Sequence, residues 1–163
     1  MTYLFAVGVT VGILAGAWVY AGGTLGFVGF AGFLGWATYF AAGGGKKGII
    51  STLCSNLSGV FWGVITIWAA TTFTAVPSLF FTVAFAAIMC WQAKLNLLEF
   101  IPGTFIGNAA FYAAGNDAIG AAVGLTCGAV LGLLSDFSAK KLSAEKVIIL
   151  LNSIKPNRLW QFK

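Results

Sequence analysis

Asn56, Thr104 and Asn108 are the side chains of this 163-residue chain best suited to chemistry, because each falls inside a long apolar stretch without ionisable residues. Polar groups in a membrane interior must find a partner, and these three could hydrogen-bond a small solute. Their plainer role is to bond helix to helix, a contact worth about 0.6 kcal/mol on average. The remaining inventory is thin. The chain has no histidine, hence no imidazole for proton shuttling or metal ligation. Cys54, Cys90 and Cys127 lie in apolar runs without CxxC spacing and read as small core residues rather than a disulfide framework or zinc site. Glu99, Asp117 and Asp136 map to the ends of apolar runs. No nucleophile–base pair or metal cluster stands out, so neither an enzyme nor a cofactor is expected.

These residues must be carried by membrane helices. The chain is 60% hydrophobic and 8% charged, against about 25% charge in water-soluble folds. No Asp, Glu, Lys or Arg occurs over residues 1–45, 48–93 or 100–116. A bilayer core of roughly 30 Å takes about 20 apolar helical residues to cross, which leaves room for six crossings. The first run resembles a signal peptide, but no Lys or Arg precedes it, and it reads as a retained first helix.

The net charge of +5 belongs to residues 138–163, where Lys140, Lys141, Lys146, Lys155, Arg158 and Lys163 face Glu145 alone. Elsewhere Lys46, Lys47 and Lys94 balance Glu99, Asp117 and Asp136. A short basic tail on a membrane protein is usually cytoplasmic, so no nucleic-acid partner is expected. The chain divides into a transmembrane domain, residues 1–137, and a basic tail, residues 138–163. In the tail Ser143 caps a short surface helix with Val147, Leu150, Leu151 and Ile154 on one face; Pro156 stops it, and Trp160 and Phe162 suit the interface.

The expected helices cover residues 3–21, 25–42, 49–70, 72–90, 100–114 and 118–135. Gly8, Gly12 and Gly16 recur every fourth residue of the first, Gly59 and Gly63 continue such a stripe in the third, and Gly120, Gly124, Gly128 and Gly132 form another in the sixth. Stripes of this kind let helix backbones approach closely in lipid. The fifth segment is short for a crossing, and Pro102-Gly103 at its start suits either a re-entrant helix or a plain helix start.

The chain also repeats itself. FLGWATYFAAGGGKKG (Phe33 to Gly48) and FIGNAAFYAAGNDAIG (Phe105 to Gly120) match at one fixed offset. With Lys46, Lys47, Lys94, Lys140 and Lys141 placed inside by the positive-inside rule, both termini are cytoplasmic and the two copies insert in opposite senses. Repeat one covers about residues 1–70 and repeat two about 72–137. Inverted repeats build channels and secondary transporters, with the solute site near the midplane between them. Phe33 with Gly35 and Phe105 with Gly107 are then expected to face each other along a narrow pathway. Trp36 and Asn108 break the match at one position and supply its single polar contact.

AGFLG at Ala31–Gly35, the run Tyr39-Phe40-Ala41, Gln92-Ala93-Lys94 and PGTFIG at Pro102–Gly107 resemble the YcdZ-like family of bacterial inner-membrane proteins. The resemblance spans roughly residues 8–136 and implies a multi-spanning protein of the bacterial inner membrane. The expectation is an all-α bundle of six segments acting as a channel or facilitator for a small neutral or weakly anionic solute. Its glycine stripes point to a homo-oligomer in the lipid bilayer. The alternative is a non-transporting scaffold that recruits a partner through the basic tail.

Overall fold

The computed structural model describes residues 2–25 and 29–154 of the chain. Among them it forms six α-helices and no strand: α1 (Tyr3–Leu25), α2 (Gly29–Ala41), α3 (Gly45–Thr72), α4 (Ser78–Trp91), α5 (Ile101–Ala113) and α6 (Ala118–Ile154). Two 3-10 turns, Gln92–Lys94 and Asn96–Leu98, join α4 to α5. The all-helical expectation holds. Spans Tyr3–Gly23, Gly45–Thr72 and Ala118–Ala144 are long and apolar enough to cross a membrane, whereas Ser78–Lys94 is a shorter apolar helix. Helices α2 and α5 have 13 residues each, about 20 Å at 1.5 Å per residue. Among the described residues, three helices therefore have the length for a full crossing.

Backbone chemistry sets these lengths. Gly43 ends α2 with φ +91°, and Gly115 ends α5 with φ +69°, a conformation that glycine adopts without a Cβ penalty. Gly44 N–H donates to the Tyr39 carbonyl and Gly43 N–H to that of Phe40; Asn116 donates to Phe111 and Gly115 to Tyr112 in the same pattern. Both are Schellman caps. Proline limits the other ends: Pro77 precedes α4, and Pro102 occupies the first turn of α5, where its missing N–H does no harm. Helix α5 is thus an uninterrupted helix from Ile101.

The tail differs from expectation. Helix α6 runs unbroken from Ala118 to Ile154, so Ser143 lies within a helix instead of capping one. No glycine or proline separates Gly132 from Pro156, and Lys140 Nζ pairs with Asp136 one turn back at 2.7 Å. Nothing there stops the helix. The side chains of Val147, Leu150, Leu151 and Ile154, and all of Pro156, Trp160 and Phe162, lie outside the described residues.

Helices α2, α3, α5 and α6 make the core, with α2 laid along α6 and α5 along α3. Ala31, Val60, Ala110, Phe111, Ala121 and Leu125 are its buried apolar centre. Helix α1 rests on α6 and α4 on α3, and both turn large apolar side chains outward, including Leu4, Ile13, Tyr20, Leu79, Phe80 and Val83. Apolar surface on all sides suits helices whose outer solvent is lipid.

Candidate functional site

Two seams organise the core, and each is a contact of backbone with backbone. In the α3–α5 seam a Cβ on Gly107 would collide with the Asn56 carbonyl, and one on Gly59 with the Thr104 carbonyl. In the α2–α6 seam a Cβ on Gly35 would collide with the Leu125 carbonyl, and one on Gly128 with the Gly32 carbonyl. The correspondence continues along the helices, since Gly63 packs on Phe111 and Gly132 on Tyr39. Positions of α2 recur in α5 in one register, Gly32 with Thr104 and Tyr39 with Phe111. Those of α3 recur in α6 three positions short of it, Asn56 with Leu125 and Gly59 with Gly128. The fixed offset that pairs Gly48 with Gly120 therefore ends at the turn between helices.

The α3–α5 seam carries a line of buried, uncharged polar residues. Thr52, Ser55, Asn56 and Thr104 are all buried. Gln92, just beyond α4, joins three elements. Its Oε1 accepts from Ser58 Oγ at 2.8 Å and Trp62 Nε1 at 2.9 Å, while its Nε2 donates to Thr104 Oγ1 at 3.0 Å. Asn108 Nδ2 donates to the Gly59 carbonyl at 3.3 Å. Among the described residues, Thr52 Oγ1, Ser55 Oγ and both amide atoms of Asn56 have no hydrogen-bond partner. Each buried polar group left in that state costs about 1–3 kcal/mol.

Beside this seam lies a cleft of about 350 Å³ between α3, α4 and α5. Thr66, Ser78, Thr82 and Asn108 give it polar walls, and Phe85, Met89, Phe105 and Tyr112 apolar ones. The Thr66 and Thr82 hydroxyls donate to the carbonyls of Trp62 and Ser78, which leaves their oxygens as acceptors. No Asp, Glu, Lys or Arg lines the cleft.

The matching flank of the α2–α6 seam is filled. Trp36, at the position of Asn108, stacks on Phe33 with ring centroids 6.3 Å apart and donates to Ser135 Oγ at 3.1 Å. Thr10 of α1 donates to the Ser135 carbonyl. Asp136, at the position of Ile67, is 3% exposed and accepts from Tyr3 Oη at 2.7 Å, Tyr39 Oη at 2.8 Å and Lys140 Nζ at 2.7 Å. Tyr39 Oη in turn accepts from Gly45 N–H at 2.7 Å. One carboxylate thus ties α1, α2 and the α2–α3 turn to α6. Asp136 is expected near an interface by its place at the end of a run; within the protein, three donors allow its carboxylate to be buried.

The structure brings Asn56, Thr104, Gly107 and Asn108 together along one seam and places Phe33, Gly35 and Trp36 along the other. Gly35 and Gly107 each meet the backbone of a different helix and do not face one another. Phe33 and Phe105 are both 41% exposed. Gly59, Gly63, Gly128 and Gly132 pack against other helices, whereas a Cβ added at Gly8, Gly12 or Gly16 would meet nothing within 4 Å among the described residues. Gly124 is buried, and Gly120 N–H donates to Asp117 Oδ1 at the start of α6. Tyr3 and Asp136 were not among the candidate site residues of the sequence, and Gln92 entered only through the family resemblance. Carrying the repeat through the turn with a three-residue shift pairs Asp136 with Ile67, and that would have marked a carboxylate in a buried register.

Comparisons with known proteins agree with this membrane architecture. The family described as "Protein of unknown function (DUF1097)" matches residues 8–140. The uncharacterised protein YahC of Escherichia coli strain K12 is 36% identical over 162 residues, covering 88% of this chain and 94% of the relative. The inner membrane protein YcdZ of Salmonella typhimurium is 38% identical over 120 residues, covering 72% of this chain and 75% of the relative. YcdZ of Escherichia coli is 36% identical over a stretch of the same length. No solved structure matches. The chain belongs to the DUF1097 family, whose relatives here include inner-membrane proteins.

Proposed function

We propose that this member of the DUF1097 family is an inner-membrane facilitator for a small uncharged solute, built from two inverted three-helix halves. The observation that carries the reading is the reciprocity of the seams: α2 meets α6 as α5 meets α3, glycine for glycine. Each helix is three places along the chain from its counterpart, an odd number, so equivalent helices of six crossings run in opposite senses through the bilayer. Such halves recur in transporters, with the solute site between them. The α3–α4–α5 cleft is the entrance, and its uncharged lining selects an uncharged solute.

The charges support one sidedness. Lys47 pairs with Glu99 at 2.9 Å, and the Asp136 cluster holds Tyr3, Gly45 and Lys140 together. The basic loops and both ends of the membrane domain therefore gather at one face, which the positive-inside rule makes cytoplasmic. The open glycine face of α1 supports association with a second copy in the bilayer.

Flux into proteoliposomes tests the reading. Stopped-flow light scattering with glycerol and urea as probes should show faster equilibration in liposomes with protein than in empty ones. Asn108→Trp, which puts in the cleft the side chain found at its counterpart, should remove at least nine-tenths of that gain and leave the melting temperature within a few degrees. Equal rates for empty and loaded liposomes with both probes would refute the facilitator.

A further inference from the structure

We propose that Thr52, Ser55 and Asn56 form a binding site for a small uncharged solute, closed in the state seen here and reached when α3 and α5 part. It deepens, and rests on, the facilitator reading above. Thr52 and Ser55 are 0% exposed and Asn56 is 1% exposed, and four of their polar atoms have no hydrogen-bond partner. Spaced at i, i+3 and i+4, they share one face of α3. That face is pressed onto α5: a Cβ on Gly103 would lie 2.8 Å from Ser55 Cβ, and one on Gly107 would strike the Asn56 backbone.

Packing does not call for polar groups there. The counterparts in α6 are Ala121, Gly124 and Leu125, which are buried in the same pattern against α2. Buried hydroxyls and amides without partners are disfavoured in any low-dielectric interior. Parting of α3 from α5 would open all three to partners, whereas parting of α2 from α6 would break the Trp36–Ser135 and Tyr39–Asp136 hydrogen bonds. The polar seam is therefore the one whose opening is compensated. Two hydroxyls and a carboxamide offer donors and acceptors together and no charge. They match a guest that presents both, such as an amide, a urea or a polyol. Thr104 and Asn108 continue the polar line along α5 from this site to the cleft.

Thiol accessibility tests the site. In a background carrying Cys54→Ser, Cys90→Ser and Cys127→Ser, the variants Thr52→Cys, Ser55→Cys and Asn56→Cys are compared with Ala121→Cys and Leu125→Cys in proteoliposomes. Modification by a membrane-impermeant methanethiosulfonate is followed by mass spectrometry. Ser55→Cys, nearly isosteric, guards against misfolding of the other two. We expect modification at least tenfold faster at the α3 positions than at their α6 counterparts, slowed severalfold by 0.5 M urea or glycerol. Equal rates at both sets would overturn the proposal. Fast modification without protection by either probe would also overturn it, as a seam that admits water only. Protected modification without flux through the same vesicles would leave the site standing and refute the facilitator.

Discussion

The α3–α5 and α2–α6 seams share one backbone contact and differ in what is buried beside it. Glycine opposes a carbonyl in both, with Gly59 and Gly107 in one and Gly35 and Gly128 in the other. Alongside α2–α6 sit Ala121, Gly124 and Leu125; alongside α3–α5 sit Thr52, Ser55 and Asn56. Trp36 and the Asp136 cluster close the flank of the first seam, where Asn108 and Ile67 leave the second with a cleft. The polar groups of the first seam are paired across it, Trp36 with Ser135 and Tyr39 with Asp136, whereas those of Thr52, Ser55 and Asn56 in the second are not. Polarity in the α3–α5 seam is a departure from what stability requires, and such departures concentrate at functional sites.

The largest effect that can break this comparison is at the crossings themselves. Gly35→Leu and Gly107→Leu each force apart two backbones that cannot repack, and each should lose about 3 kcal/mol or more. Unfolding in detergent, followed by circular dichroism, should give similar losses for the two. A loss confined to one glycine would end the equivalence of the seams. Because Gly107→Leu perturbs packing first, flux is better probed at Asn108.

Asp136→Ala comes next. It removes the acceptor of three hydrogen bonds from a buried place and should cost about 3 kcal/mol by the same measurement. Its effect should be felt in α1, whose Tyr3 loses its partner, so limited proteolysis should release the N-terminal helix earlier than in wild type. Unchanged proteolysis would separate α1 from the cluster. Asn56→Leu is the smallest and has the opposite sign. It replaces an unpartnered amide with the residue of its counterpart and should stabilise the protein by about 1 kcal/mol. A loss of the same size would show that the amide is satisfied, and the contrast between seams would weaken.

Much of the architecture was legible because glycine spacing and internal repetition are written in residue types. The stripes Gly59–Gly63 and Gly128–Gly132 and the polar positions Asn56, Thr104 and Asn108 all fall where helices meet. The ends of α2 and α5 were legible too: they fall within a residue of the expected 42 and 114, where Gly43 and Gly115 supply Schellman caps. The Asp136 cluster was hidden. Its partners, Tyr3, Tyr39 and Lys140, come from three helices, and nothing local to Asp136 announces two phenols from elsewhere in the chain. The glycines of the expected pathway were found at the correct register and assigned a lumen, although close approach is the commoner use of glycine between membrane helices.

Helix α6 has one consequence beyond packing. Asp136 anchors it to α1 and α2, yet the same rod continues without a hinge to Ile154. From Asp136 to Ile154 the rod is roughly 27 Å long at 1.5 Å per residue, so a tilt of about 10° at the anchor would swing its far end by about 5 Å. Any rearrangement of the core that moves Asp136 would therefore be displayed, amplified, at the far end of α6, where a fluorescent label could read it.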